Sequence, residues 1–143
     1  MIEFHSQTEF NLSNQEAIQQ WIVAEVKRTD KVVGELSYVF CDDAFLHGIN
    51  VEYLNHDTLT DIISFDYTAG KQINGEIYIS IERVRDNADE FKVDFDEELL
   101  RVIIHGVLHF LGYPDKTEEE KKTMRAKENE AIARFYTPKE SND

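Results

Sequence analysis

Cysteine, proline and cations are the scarce ingredients of this 143-residue chain: one Cys, two Pro, and 15 Lys and Arg against 29 Asp and Glu. Each shortage excludes something. The lone Cys41 cannot form an internal disulfide, so packing rather than cross-linking must hold the fold. No apolar run reaches bilayer-spanning length and no signal-peptide pattern is present, so a cytoplasmic, bacterial-type protein without a membrane partner is expected. A net charge of −14 repels nucleic acid at long range, and DNA is not an expected partner. A polyanionic substrate would need a local basic patch, or a metal, to offset that field.

What is present suits one core. The length and a hydrophobic content of 41% fit one domain over residues 1–143, with no internal repeat or linker. Ile2–His5 reads as a short edge strand. Ser13-Asn-Gln-Glu16 matches a capping box, and Ile18, Trp21, Ile22 and Val26 then recur at helical spacing over about 14–28. Gly34–Cys41 alternates as a strand, with Leu36, Tyr38 and Phe40 on one face. Asp42 and Asp43 cap a second helix over about 44–54, carrying Leu46, Ile49 and Tyr53, and the aromatic residues here read as core. Asn55–Asp57 reads as a turn.

Thr60–Tyr67 and Gly75–Ser80 read as two strands able to pair antiparallel across the loop around Gly70. Ser80 then caps a helix with Val84, Ala88 and Phe91 on its buried side. Asp94 or Asp96 caps another, running to about Leu111, with Leu99, Val102, Ile103 and Val107 on its apolar face. Thr117-Glu-Glu-Glu120 is a second capping box, opening a helix to about Tyr136 that Pro138 ends; the polar tail beyond is expected to be disordered. The Glu118–Lys122 charge run reads as a solvated helix face. The pattern is a mixed α+β domain: a small mixed sheet with helices packed on it and the most distinctive helix near the C-terminal third.

That helix ends in His105-Gly-Val-Leu-His109-Phe-Leu-Gly112-Tyr-Pro-Asp115. Residues four apart share a helical face, so both imidazoles can reach one point. Gly112 stands where a helix can end in a left-handed turn, and Pro114 discourages its resumption, so Asp115 can double back toward the rings. Two nitrogens and one carboxylate oxygen, with a fourth position left to water, form the ligand set of a catalytic zinc site. The competing reading is two ordinary histidines near a helix C-terminus, stabilised by its dipole. The zinc-peptidase helix places a glutamate after the first histidine as general base; Gly106 occupies that position, which argues against that chemistry.

Three stretches together resemble the YbeY family of metal-dependent endoribonucleases. Asn50-Val-Glu-Tyr53-Leu-Asn-His-Asp57-Thr-Leu-Thr60-Asp61-Ile-Ile-Ser64-Phe65 is similar to the family's Asn-x-x-Tyr-Arg…Thr-Asp-Val-Leu-Ser-Phe block. Gly75-Glu76-Ile-Tyr-Ile-Ser80 is similar to its Gly-Asp-Ile-x-Ile-Ser strand, and the His105–Asp115 stretch to its His-Gly-x-Leu-His-Leu-x-Gly-Tyr-Asp-His motif. Order and spacing agree over about residues 35–135. The resemblance implies a metal-dependent single-strand endoribonuclease, a hydrolase of phosphodiester bonds. It further implies a role in ribosomal RNA (rRNA) maturation, at the small-subunit 3′ end, and in ribosome quality control. The implied partners are rRNA and ribosomal or assembly-factor proteins.

Two positions depart from the family pattern. Asp115 stands where the third ligand is usually His; a carboxylate also ligates zinc, but as a harder donor it can shift the preference to another divalent transition metal. The alternatives are that Asp115 binds through water or not at all. Leu54 stands where the family usually has an Arg for RNA phosphate. Arg101, one turn before His105, is a substitute, with an ordinary ion pair to Glu97 or Glu98 as the competing account; Arg83 and Arg85 are others. A metal on His105, His109 and Asp115 would activate water against the phosphodiester. Acid–base help then comes from elsewhere: Asp61, Asp66 and Glu98 are the available carboxylates, with His56 as a further proton donor. Asp61 and Ser64 also fit structural roles at the strand ends or as hydrogen-bond support to the site. His5 and His47 carry no pattern. The competing function is a metal-stabilised ribosome-assembly binding module without efficient nuclease activity, which the acidic surface favours.

Overall fold

The computed structural model describes residues 1–54 and 60–137. Its elements run β1 (Ile2–Ser6), α1 (Gln15–Lys27), β2 (Val32–Cys41), α2 (Asp43–Leu54), β3 (Ile62–Asp66), β4 (Gln72–Ser80), α3 (Ile81–Phe91), α4 (Phe95–Phe110) and α5 (Glu118–Tyr136). The strands form one mixed sheet in the order β1-β2-β4-β3. β1 and β4 each run parallel to β2, and β3 closes the far edge antiparallel to β4. The α+β expectation, the edge position of β1 and the antiparallel β3–β4 pair are all present.

Alternation along the strands separates the two faces of the sheet. Leu36, Tyr38 and Phe40 of β2 stand opposite Gly75, Ile77 and Ile79 of β4, and all but the glycine are fully buried hydrophobic residues. α4 lies across this face: the Tyr38 hydroxyl donates to the Ile103 carbonyl at 3.0 Å. Burying side chains such as Phe40, Ile77 and Ile103 stabilises the fold by about 1.5–3 kcal/mol each. The other face carries a smaller cluster, where Cys41 and Ile63 meet Leu46 of α2. Burial and the neighbouring Asp42 and Asp43 charges push the Cys41 thiol up to about 12, so it is an inert packing group.

α5 is tied to α1 at two points. The Trp21 indole donates to the Ala131 carbonyl at 2.8 Å, and Arg134 forks onto the Glu25 carboxylate at 2.7 and 2.8 Å. These bonds fix how α5 lies against α4. Its start is set by the expected capping box: the Thr117 hydroxyl accepts from the Glu120 amide and the Glu120 carboxylate from the Thr117 amide.

Several expectations do not hold. The Ser13–Glu16 capping box does not form. α1 begins one residue later, with Asn14 at the cap in the left-handed region (φ 58°). The third helical position is then Ala17, which has no acceptor to reach back. Asn is one of the few residues that adopts this conformation readily. Tyr53 is 66% exposed and Phe45 39%: α2 seats Leu46 and leaves these rings half-open against Phe65 of β3 and Tyr78 of β4. Phe91 is 51% exposed although Ile81, Val84 and Ala88 of its stripe are buried. Asp94 caps α4 by position but makes no side-chain cap bond, whereas Ser80 does accept from the Arg83 amide. The Asn55–Asp57 turn, His56, the Leu54 side chain and the tail from Pro138 lie outside the described residues. Among the described residues no helix is long and apolar enough to cross a membrane.

Candidate metal centre

α4 ends in a complete Schellman motif. The Tyr113 amide donates to the Leu108 carbonyl and the Gly112 amide to the His109 carbonyl, both at 3.0 Å. Gly112 adopts φ 103°, a conformation a side chain would strain. The chain therefore reverses at the end of the helix and brings Asp115 back over the last two turns. His105 Nε2 and His109 Nε2 stand 3.0 Å apart. Asp115 Oδ2 lies 3.2 Å from the first and 3.3 Å from the second.

The hydrogen bonds behind the rings decide what these atoms are. His105 Nδ1 faces the Glu128 carboxylate at 2.7 Å, and His109 Nδ1 faces the Tyr113 carbonyl at 2.9 Å. Both partners only accept, so each Nδ1 carries a proton, and in the neutral rings each Nε2 presents a lone pair. Three electron-rich atoms thus converge within 3.3 Å, an arrangement that repels itself unless a cation sits among them. Ligands about 2.0–2.1 Å from a tetrahedral ion stand roughly 3.3–3.4 Å apart. His105, His109 and Asp115 fit one face of such a polyhedron.

The groups around the triad are ordered by α4 and α5. Glu128 is 4% exposed, and Arg101 donates to it at 3.2 Å while also reaching Asn129 at 2.9 Å and standing 3.8 Å from Glu97 and Glu98. The chain of contacts runs Arg101–Glu128–His105. Burial alone would push the His105 imidazole down. The Glu128 hydrogen bond and charge, then Asp115 and Asp61, outweigh it and lift the ring above its ordinary value.

The triad opens into a cleft of about 470 Å³, whose lining includes Asp61 just before β3 and Ser64 on it, Asn87 and Phe91 on α3, and Arg101 and Arg125 on α4 and α5. Burial raises the Asp61 carboxyl, with the Glu128 charge adding to it against His105 and Arg83; the Asn87 amide donates to it at 3.3 Å. Burial likewise raises Glu98, against the Arg101 charge.

The remaining sequence candidates go elsewhere. Arg83 forks onto Asp43 at 3.0–3.3 Å, and the Arg85 guanidinium sits 5.3 Å over the Phe95 ring. Asp66 accepts from the Thr68 amide and does not line the cleft; nor do His5 and His47. Gly106 faces the sheet, where an added Cβ would stand 2.8 Å from Ile77 Cδ1. A glutamate base at that position would point into the core.

Glu128 and Arg125 escaped the sequence reading. A signal for Glu128 existed: Met124, Ala131 and Ile132 form the buried stripe of α5, and Glu128 falls on it. A charged residue on a buried stripe asks for a partner. Arg125 carried no such signal. Its side chain is 55% exposed and its nearest acid, Glu128, is 3.9 Å away.

Comparison with known proteins gives concordant results. The family model described as endoribonuclease YbeY matches residues 1–136. A Flavobacterium johnsoniae protein described as endoribonuclease YbeY is 56% identical over 136 residues, covering 95% of this chain and 98% of that one. A Christiangramia forsetii protein of the same description is 53% identical over 135 residues, covering 94% of each. The solution structure of a Thermotoga maritima protein shares the fold, with a TM-score of 0.68 at 24% identity over 95% of this chain and 89% of that one.

Proposed function

This chain belongs to the YbeY endoribonuclease family, and from that premise we propose that it is a metal-dependent hydrolase cutting single-stranded rRNA at the triad of His105, His109 and Asp115. The observation that carries the reading is the convergence of three lone-pair atoms at 3.0–3.3 Å with both Nδ1 protons already committed. Zinc is the ion this two-nitrogen, one-oxygen set suits. The biological setting that follows from the family is cytoplasmic maturation of the small-subunit rRNA 3′ end and ribosome quality control, with ribosomal or assembly-factor proteins as partners.

A divalent ion bound there supplies Lewis acidity toward water and a phosphoryl oxygen. The protein's own groups supply orientation, charge and a proton. Glu128 and the Tyr113 carbonyl hold both imidazoles in the tautomer that presents Nε2. Arg101 keeps Glu128 in place and is committed to that ion-pair network, so it does not replace the family's phosphate-binding arginine. Arg125 takes that part: it lines the cleft, is half-exposed, and among the described residues its ion-pair contact is a long one to Glu128. Asp61 is the acid. Burial favours its protonated form, and the proton passes to the leaving oxygen as the P–O bond breaks.

The test is the metal content of untagged wild type, His105→Ala and Asp115→Ala by elemental mass spectrometry, beside cleavage of single-stranded RNA. About one equivalent of zinc in wild type, lost in both variants together with cleavage, is the expected result. No metal after reconstitution overturns the hydrolase reading. The net charge of −14 favours a second reading, a metal-stabilised module that binds basic ribosomal proteins. That reading predicts a metal-loaded wild type without RNA cleavage, and a fold that collapses when the metal is removed.

A further inference from the structure

Among the described residues, Phe91 is the one aromatic residue other than histidine that lines the cleft. It occupies the last position of α3, three residues after Ala88 on a stripe whose other members, Ile81, Val84 and Ala88, are at most 3% exposed. Continuing that stripe into the core would bury the ring. Instead the residue is 51% exposed and lines a cavity whose other walls are mostly polar and charged groups. The Asn87 amide, one turn earlier on the same face, lines the cavity too. A lone exposed phenylalanine on an outer surface needs no explanation. One that leaves a buried stripe to enter the cleft of a candidate RNA-cutting centre does.

We propose that Phe91 is the stacking platform for one unpaired nucleobase of the RNA strand. The proposal rests on the hydrolase reading and adds how the substrate is held. An open aromatic face recognises a splayed base through its π surface, whatever the base, and a paired base already stacked in a duplex cannot use it. The subsite therefore selects single strands. It also supplies binding that the acidic surface does not: stacking is uncharged, so it draws the strand in where long-range charge opposes it. Arg125, on α5 rather than α3, neutralises phosphate from another wall of the cavity.

The experiment is fluorescence anisotropy of a short labelled single-stranded RNA, and of the same strand with abasic nucleotides, on zinc-loaded protein, with strand integrity checked on a gel. Wild type, Phe91→Ala, Phe91→Leu and Phe91→Trp are compared. The expected result is that Ala and Leu weaken binding of the normal strand about 5- to 100-fold while Trp retains it. The abasic strand should bind wild type and Phe91→Ala alike. Equal binding of the normal strand by wild type and Phe91→Ala, or full affinity in Phe91→Leu, overturns the stacking subsite and leaves the hydrolase reading standing. A zinc-loaded wild type that binds neither strand and cuts no RNA overturns the hydrolase reading and the subsite with it.

Discussion

Replacing Glu128 with glutamine keeps the shape of the side chain and removes one of two acceptors the structure uses. Oε2 accepts a hydrogen bond from His105 Nδ1 at 2.7 Å and Oε1 one from Arg101 at 3.2 Å. An amide has one oxygen, so its NH2 must face one of these donors. With Glu128 buried, the loss of a charge-assisted bond is worth about 1.5–3 kcal/mol. Glu97 and Glu98, each 3.8 Å from Arg101, offset part of it, which places the expected loss near 2 kcal/mol. Alanine leaves Arg101 without its closest carboxylate and is expected to cost about 3–5 kcal/mol. Loosening a ligating imidazole weakens metal binding about 10- to 100-fold, so saturating zinc should stabilise the glutamine variant by about 1.4–2.7 kcal/mol less than wild type. Urea denaturation with and without zinc, beside a competitive zinc titration, measures both quantities. A Glu128→Gln protein with wild-type zinc affinity and a stability change below about 0.5 kcal/mol would refute the claim that Glu128 orients His105.

Gly106→Glu should unfold or severely destabilise the protein rather than create a peptidase, since the new side chain meets Ile77 and Ile62; thermal unfolding and casein turnover report the two outcomes. Tyr38→Phe should lower stability by about 0.5–1.5 kcal/mol through loss of the bond to the Ile103 carbonyl, read from the urea midpoint. Burial raises the Asp43 carboxyl, but hydrogen bonds from Arg83 and Ser80 and the Arg83 charge outweigh it and hold it below its ordinary value. Its stabilisation is therefore in place above the unfolded value, about 3.9, and fades as pH falls through the lower folded value. Asp43→Asn should flatten the acid limb of stability there, and an unchanged limb in urea midpoints measured against pH would count against it. Because the His105 ring is lifted by Glu128 and Asp115, protons should compete with zinc as pH falls through its folded value, and zinc retained unchanged far below that range would contradict this.

The local devices of this protein were legible in its sequence because each is a short-range steric or hydrogen-bonding rule. The i, i+4 spacing of His105 and His109 on one helical face, Gly112 at the left-handed turn, and the Thr117–Glu120 box depend on residues within one or two turns of each other. The alternation of Leu36, Tyr38 and Phe40 named the buried face of β2 by the same logic. The Ser13–Glu16 box failed through a shift of one residue in where α1 starts, and no local pattern decides that shift. What the tertiary structure alone decided is which distant groups meet. Glu128 reaches His105 across 23 residues because Trp21 and Glu25 of α1 clamp α5 in one position on α4. Arg101 meets Glu128 for the same reason. Phe91 leaves its buried stripe for the cleft, a choice that periodicity cannot report. Spacing along the chain says which side chains share a face; only the packing of one element on another says what that face touches.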